Sequence, residues 1–338
     1  MTETTLNPPT NGSSTTSTDV PKAATARRED VTGGTGTLPL VSVVIATKNR
    51  PALLRRAIDA VLGQTYAGPI ECVIVFDHVP IDESLAYEAE NRRVVCVPNV
   101  RTPGLAGARN SGIDVAAGEF VAFCDDDDEW LPDKLHLQIE KLQSTGCDVA
   151  VSGIEVHYEG KVTPRVPRPD DMTVRVLARR RVMEAHPSTV VVRASALRER
   201  IGLVDEAIPG SFGEDYDWML RAAQTARIAV VERPLVRVLW GRQSYFTRQW
   251  RVIIEAIDYK IAKHPALRED PHGLARLRGQ QAFAYAALKD RRSALRYAAQ
   301  TIRLNWREQR AYVAILVALG FVTADQALAL ANSAGRGI

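Results

Sequence analysis

The chain has 338 residues, 46% of them hydrophobic and 25% charged, with a formal net charge of +3. That composition belongs to a soluble globular protein of one large or two ordinary domains. It excludes a nucleic-acid reader on two counts: the net charge is small, and with 6% aromatics no basic run alternates with stacking residues.

Residues 1–38 are rich in Thr, Ser, Gly and Pro and hold almost no large apolar side chains, so they are expected to stay disordered. No basic segment followed by an apolar one opens the chain, and no secretory signal is expected. "LVSVVIAT" then reads as a strand buried on both faces, and "RPALLRRAIDAVLGQ" places apolar residues at helical spacing. "IECVIVF" predicts a second strand ending at Asp77, "DESLAYEAENR" a helix, and "RVVCVP" a third strand. "GLAGARNSGIDVAAG" predicts a Gly-bounded helix and "EFVAFC" a fourth strand. Strands alternating with helices imply an α/β protein with a mostly parallel sheet flanked by helices.

Further on, "STVVVR" is strand-like and "EDYDWMLRAA" helical. Beyond Gly241 the composition turns to Ala, Leu and Arg at helical spacing. "QQAFAYAALKDRRSALRYAAQTIRLN" predicts a helical hairpin, and "VTADQALALA" a last helix with Thr323 as its cap. The longest apolar stretch there, "AYVAILVALGFV", has 12 residues and is too short to span a bilayer. Cys72, Cys96, Cys124 and Cys147 form no CxxC pair, which fits reduced thiols and a cytoplasmic location. A contact with the inner face of the membrane stays open.

In open sheets of this kind ligands bind beyond the carboxyl ends of the strands. "TKNRP", "FDHVP", "NVRTPGLAGARN" and "CDDDDEW" all fall there. The acidic run Asp125 to Asp128 repels itself and stabilises no strand, so its use is chemical. Carboxylates beside Arg50, Arg101 and Arg109 suit a Mg²⁺ or Mn²⁺ ion shared with a substrate diphosphate. A calcium loop is excluded, because Trp130 stands where such a loop needs glycine.

Three segments carry a resemblance: "LVSVVIATKNRPALLRRAIDAVLGQTY", "GLAGARNSGIDVAAGEFVAFCDDDDEWLPDKL" and "GEDYDWMLRA". Together they resemble the family-2 glycosyltransferases of the GT-A fold, over about residues 39–240, with 241–338 left as a helical extension. The resemblance implies a metal-dependent, inverting hexosyltransferase that takes a sugar from a nucleotide-diphosphate donor. Its acceptor would be a glycan, a lipid-linked molecule or a small molecule.

By that likeness Asp127 is the direct ligand of Mn²⁺ or Mg²⁺, with Asp125 beside it, and Asp126 and Asp128 face the ribose, the sugar or groups behind the ligands. Thr47, Asn49, Arg50, Asp77, Arg109 and Asn110 line the donor site. Asp215 is the base and Glu214 its neighbour, placed to raise its pKa or hold the acceptor. His186, Ser188 and Trp218 fall on the acceptor side. His78 replaces the second acid that many relatives carry after Asp77, so a UDP-sugar is the first expectation while the nucleobase stays open. Seven Lys/Arg against two Asp between Lys161 and Arg181 fit either a solvated face or an anionic acceptor.

Two other readings compete. A sugar-phosphate nucleotidyltransferase would need a Gly-rich phosphate loop after the first strand, where "TKNRP" has none. A non-catalytic nucleotide-sugar-binding protein would have no use for the intact "GED". A dehydrogenase is disfavoured, since no GxGxxG follows "VVIAT".

Overall fold

The computed structural model describes residues 1–2, 38–239 and 249–333, and the side chains through 330 in the last segment. The tail expected to be disordered and the expected boundary at 240/241 lie outside the described residues, apart from 1–2 and Leu38.

β1 (Val41–Thr47), β2 (Ile70–Phe76), β4 (Arg92–Pro98) and β5 (Phe120–Phe123) form a parallel half-sheet in the order β4-β2-β1-β5. The β-branched runs of β1 and β2 are buried, with helices α1 (Pro51–Leu62) and α2 (Leu105–Val115) on the sheet, while β4 buries only Val94. Beyond β5 the sheet becomes mixed. β9 (Val191–Arg193) runs antiparallel to β5 and to β7 (Val149–Tyr158), and β7 is parallel to β10 (Ile228–Leu239). β8 (Lys161–Arg165) folds back on β7. β6 (Asp128–Trp130) closes one edge by pairing antiparallel with β10. All four cysteines are free thiols.

The segment 82–92 is not the expected helix. One 3₁₀ turn at Glu83–Leu85, capped by Asp82, leads into β3 (Tyr87–Ala89), which pairs antiparallel with β4. Its residues are largely exposed, so no apolar stripe anchors a helix to the sheet.

α3 (Lys134–Thr145) follows the acidic run, then α4 (Val174–Arg179), a short turn α5 (Ala194–Ala196), and α6 (Glu214–Thr225). The C-terminal region is helical: α7 (Trp250–Lys263), α8 (Pro265–Glu269), α9 (Pro271–Ala287), α10 (Arg291–Leu304), α11 (Gln309–Leu319) and α12 (Ala324–Ser333). α9 and α10 form the expected hairpin, and Thr323 Oγ1 accepts the Gln326 amide 3.1 Å away as a cap should. Among the described residues no helix is long and apolar enough to cross a membrane.

Lys134, at the start of α3, is fully buried, and its Nζ has no hydrogen-bond partner among the described residues. The ammonium sits 3.8 Å from the centroid of the Trp130 ring. Burial pulls its pKa down to about 7. Above that pH the folded chain sheds a proton that the unfolded chain keeps, so this lysine makes stability rise with pH between about 7 and 10.5. The slope is at most about 1.4 kcal/mol per pH unit. Urea unfolding of Lys134→Met should therefore lack the rise between neutral and mildly alkaline pH that the wild type shows. Parallel profiles for the two would contradict this.

Candidate active site

The carboxyl ends of β1, β2, β4 and β5 meet at one edge, as the alternation of elements requires. Asn49 and His78, which follow β1 and β2, both have positive φ (57° and 53°), a conformation costly outside glycine and common at functional loops. Asp77 accepts hydrogen bonds from Lys48 Nζ at 3.1 Å, Asn99 Nδ2 at 2.9 Å and the Gly104 amide at 2.9 Å. Burial would raise its pKa, but those donors hold it below the ordinary carboxylate value. Asp77 thus ties three sheet-end loops together.

The acidic run is a tight turn. The Asp128 amide donates to the Asp125 carbonyl at 3.1 Å, which brings the first and fourth residues of the turn side by side. Asp126 and Asp127 are its central pair and face β1: Thr47 Oγ1 donates to Asp126 at 2.8 Å, and Arg50 Nη1 donates to Asp126 at 3.1 Å and Asp127 at 2.8 Å. Burial and the charges of Asp125, Asp128 and Asp126 push Asp127 up to about 6.

On the other side of the turn stands "HPS". Ser188 Oγ donates to Asp128 Oδ2 at 2.5 Å and accepts the Asp125 amide at 3.0 Å. His186 Nδ1 lies 3.2 Å from Asp128 Oδ2. Asp125, Asp128 and His186 offer ligand atoms that all lie within 4.8 Å of one another. The set differs from the expected one, because the turn gathers its two ends and sends Asp127 to Arg50. Two carboxylates and an imidazole make a donor set that fits a divalent metal ion.

Arg109, on α2 and 4% exposed, joins the acidic run to α6. Its Nη2 donates to Asp125 at 2.6 Å and its Nη1 to Glu214 at 2.5 Å. Asp215 is held by Arg181 Nη2 at 2.6 Å. Burial would raise Asp215, but Arg181, Arg109 and His186 outweigh it and hold the carboxyl well below its usual range. The net shift of Asp215 is therefore downward, opposite to the rise expected from its neighbour Glu214. Burial instead lifts Glu214 itself, with Arg109 opposing and the Asp215 charge adding to the rise. Asp215, Arg181 and His186 line a cavity whose other walls include Leu177, Met183 and Met219.

Three expected site residues lie elsewhere. Trp218, expected on the acceptor side, is in the core, donating from Nε1 to the Gly202 carbonyl at 3.1 Å and packed edge-on to Phe123. Asn110 spends its amide on Val204 and Glu206, which pins the 204–206 loop to α2. Arg101 turns away from the acidic run to Asp114 and Glu206.

Arg181 was visible in the sequence only as one of a basic group. Lys260 gave no local signal at all. It is buried on α7, and its Nζ donates to the Phe212 carbonyl in the turn before α6. That turn is moulded to α7 at two glycines of positive φ. A Cβ on Gly210 would come within 2.5 Å of Val252 Cγ1, and one on Gly213 within 2.5 Å of Lys260 Nζ. Lys263 and His264 then grip Asp217 on α6 at 2.7 Å each. Gly213→Ala should cost about 1–2 kcal/mol through its left-handed φ alone. It should also depress turnover, because Glu214 and Asp215 follow directly. Unchanged stability in urea would show that the turn relaxes freely.

Comparison with known proteins agrees with this fold. Residues 42–200 match the family described as Glycosyl transferase family 2. The Escherichia coli UDP-Glc:alpha-D-GlcNAc-diphosphoundecaprenol beta-1,3-glucosyltransferase WfaP is 26% identical over 180 residues, 53% of this chain and 68% of its own. WfgD, of the same description and organism, is 28% identical over 138 residues, 41% of this chain and 54% of its own. Among solved structures, S. aureus TarS 1–349 in complex with UDP-GlcNAc superposes with a TM-score of 0.53 at 17% identity, over 83% of this chain and 91% of that one. The mannosyltransferase PcManGT from Pyrobaculum calidifontis, in complex with GDP-Man and Mn²⁺, gives 0.51 at 17% identity, over 87% and 84%. At such identities the superpositions establish the GT-A fold.

Proposed function

This chain is a member of glycosyl transferase family 2 through residues 42–200, and on that premise we propose that it moves a sugar, with inversion, from a nucleotide-diphosphate donor to an acceptor hydroxyl. The observation that carries the reading is the Arg109 bridge, which holds Asp125 of the acidic turn and Glu214 of the GED segment on one guanidinium. It sets the donor end and the base end of the reaction side by side.

The donor diphosphate lies along the sheet edge, with Arg50 and the Asn49 loop toward the nucleotide. Asp125, Asp128 and His186 would hold a divalent cation, for which Mn²⁺ is the first choice. When bound, that ion neutralises charge developing on the departing nucleoside diphosphate. Asp215 removes the acceptor proton. Its place on the cavity wall favours it over Glu214, which is 4% exposed and engaged by Arg109. The Arg181 partner keeps Asp215 ionised until the acceptor hydroxyl takes up its free lone pairs, so the base is charged at neutral pH. Arg109, Ser188 and Arg50 fix the carboxylates, and Asp77 and Lys48 fix the loops around the nucleotide. Catalysis is assigned to residues 39–240, with the helices of 241–338 as an extension that braces α6.

Arg181, paired with Asp215 at the cavity, suits an acceptor that carries an anionic group. A lipid-linked diphosphate sugar, of the kind named for the WfaP and WfgD relatives, is the first acceptor to test. Purified protein with Mn²⁺ should be offered UDP-, GDP- and dTDP-sugars with a polyprenyl-diphosphate sugar, and products read by mass spectrometry. Transfer from one donor class supports the proposal. Donor binding without transfer or hydrolysis for the whole panel would favour a non-catalytic binding protein instead.

A further inference from the structure

α11 uses one face to pack Ala311 and Ala314 against the α9 side of the C-terminal cluster. Its opposite face is apolar and open. Tyr312, Leu316 and Leu319 lie at helical spacing on it and are exposed. Trp306 before the helix and Phe321 after it are 65% and 73% exposed. These side chains form a stripe with an aromatic residue at each end. The chain leading into it, residues 289–310, holds seven Lys/Arg against two Asp/Glu. Arg291, Arg292, Arg296, Arg303 and Arg307 are exposed there, and the Arg307 guanidinium lies 5.0 Å from the centroid of the Trp306 ring.

We propose that this face docks on the surface of an anionic phospholipid membrane. The composition matches what such a surface recognises: Trp, Tyr and Phe rings that settle at the headgroup level, leucines that reach the acyl boundary, and arginines that meet lipid phosphates. Charge argues against a second copy of the chain. A two-fold contact would place the same basic segment against itself, and like charges repel. The helix is too short to insert across the bilayer, so it lies in the plane of the interface. The docking is independent of which sugar is transferred, and of whether transfer occurs at all.

The full chain should co-sediment with vesicles of phosphatidylglycerol and phosphatidylcholine in equal parts, and not with phosphatidylcholine alone. High salt should weaken the binding by screening. Arg303→Gln with Arg307→Gln should lower partitioning about thirty-fold, at ~1 kcal/mol per cation. Trp306→Ser with Phe321→Ser should lower it at least about tenfold. All four positions are exposed, so circular dichroism and melting temperature should match the wild type. Equal sedimentation of wild type and both pairs would overturn the proposal, as would no binding at any composition. A concentration-dependent dimer abolished by Trp306→Ser with Phe321→Ser would overturn it in favour of self-association.

Discussion

Asp215→Asn is expected to cut sugar transfer by about 10²–10⁴-fold, the usual worth of a positioned general base. An acceptor hydroxyl is a poor nucleophile at neutral pH, and its proton must leave as the new sugar–oxygen bond forms. Asparagine keeps the size of the side chain and part of its hydrogen bonding to Arg181 but cannot accept that proton. Donor and metal affinity should stay near wild type, because neither Arg50 nor the acidic turn touches Asp215 in the described contacts. Glu214→Gln should be milder, since Glu214 contributes position through Arg109. Its elevated pKa gives the alternative a clear signature. If Glu214→Gln were inactive and Asp215→Asn retained turnover, the base would be Glu214, and the Arg109 bridge would serve to tune it. Activity in both variants would remove the base mechanism altogether.

Chelation should abolish metal-dependent binding of the nucleotide sugar, and Mn²⁺ should restore it. The same calorimetric assay separates the residues of the turn. Asp125→Asn and Asp128→Asn should weaken nucleotide-sugar affinity by more than about 10²-fold in the presence of Mn²⁺, beyond the 10–100-fold usual for a supporting partner. Asp127→Asn, which loses only its pair with Arg50, should fall within that supporting range. The reverse order would return the direct ligand to Asp127, as the family likeness implies. Equal affinity with and without metal for the wild type would refute a metal site of either composition.

Much of this molecule could be read along the chain. The apolar runs of β1, β2 and β5, the helical spacing of α1 and the glycine-bounded stretch of α2 are local features of the chain, and each element appeared where its pattern placed it. Alternation then put four polar loops, the acidic run among them, at one sheet edge, while the GED segment was marked as part of a site by the family resemblance. The segment 82–92 misled because its charges have helical propensity, yet it has no apolar face to bury, and pairing with β4 decided its state.

The tertiary structure decided the partners. Asp125 and Asp128 meet because four residues close a turn, and His186 joins them across 58 positions because its segment packs on β5 and β7. Arg109 reaches Glu214 across 105 positions, and Lys260 reaches Phe212 across 48. Residue types, local periodicity and the edge where the chemistry sits belong to the sequence, since they depend on neighbours along the chain. Which carboxylate faces a cation, which faces an arginine and which faces the cavity depends on crossings between distant strands and helices, and only the packed fold sets those.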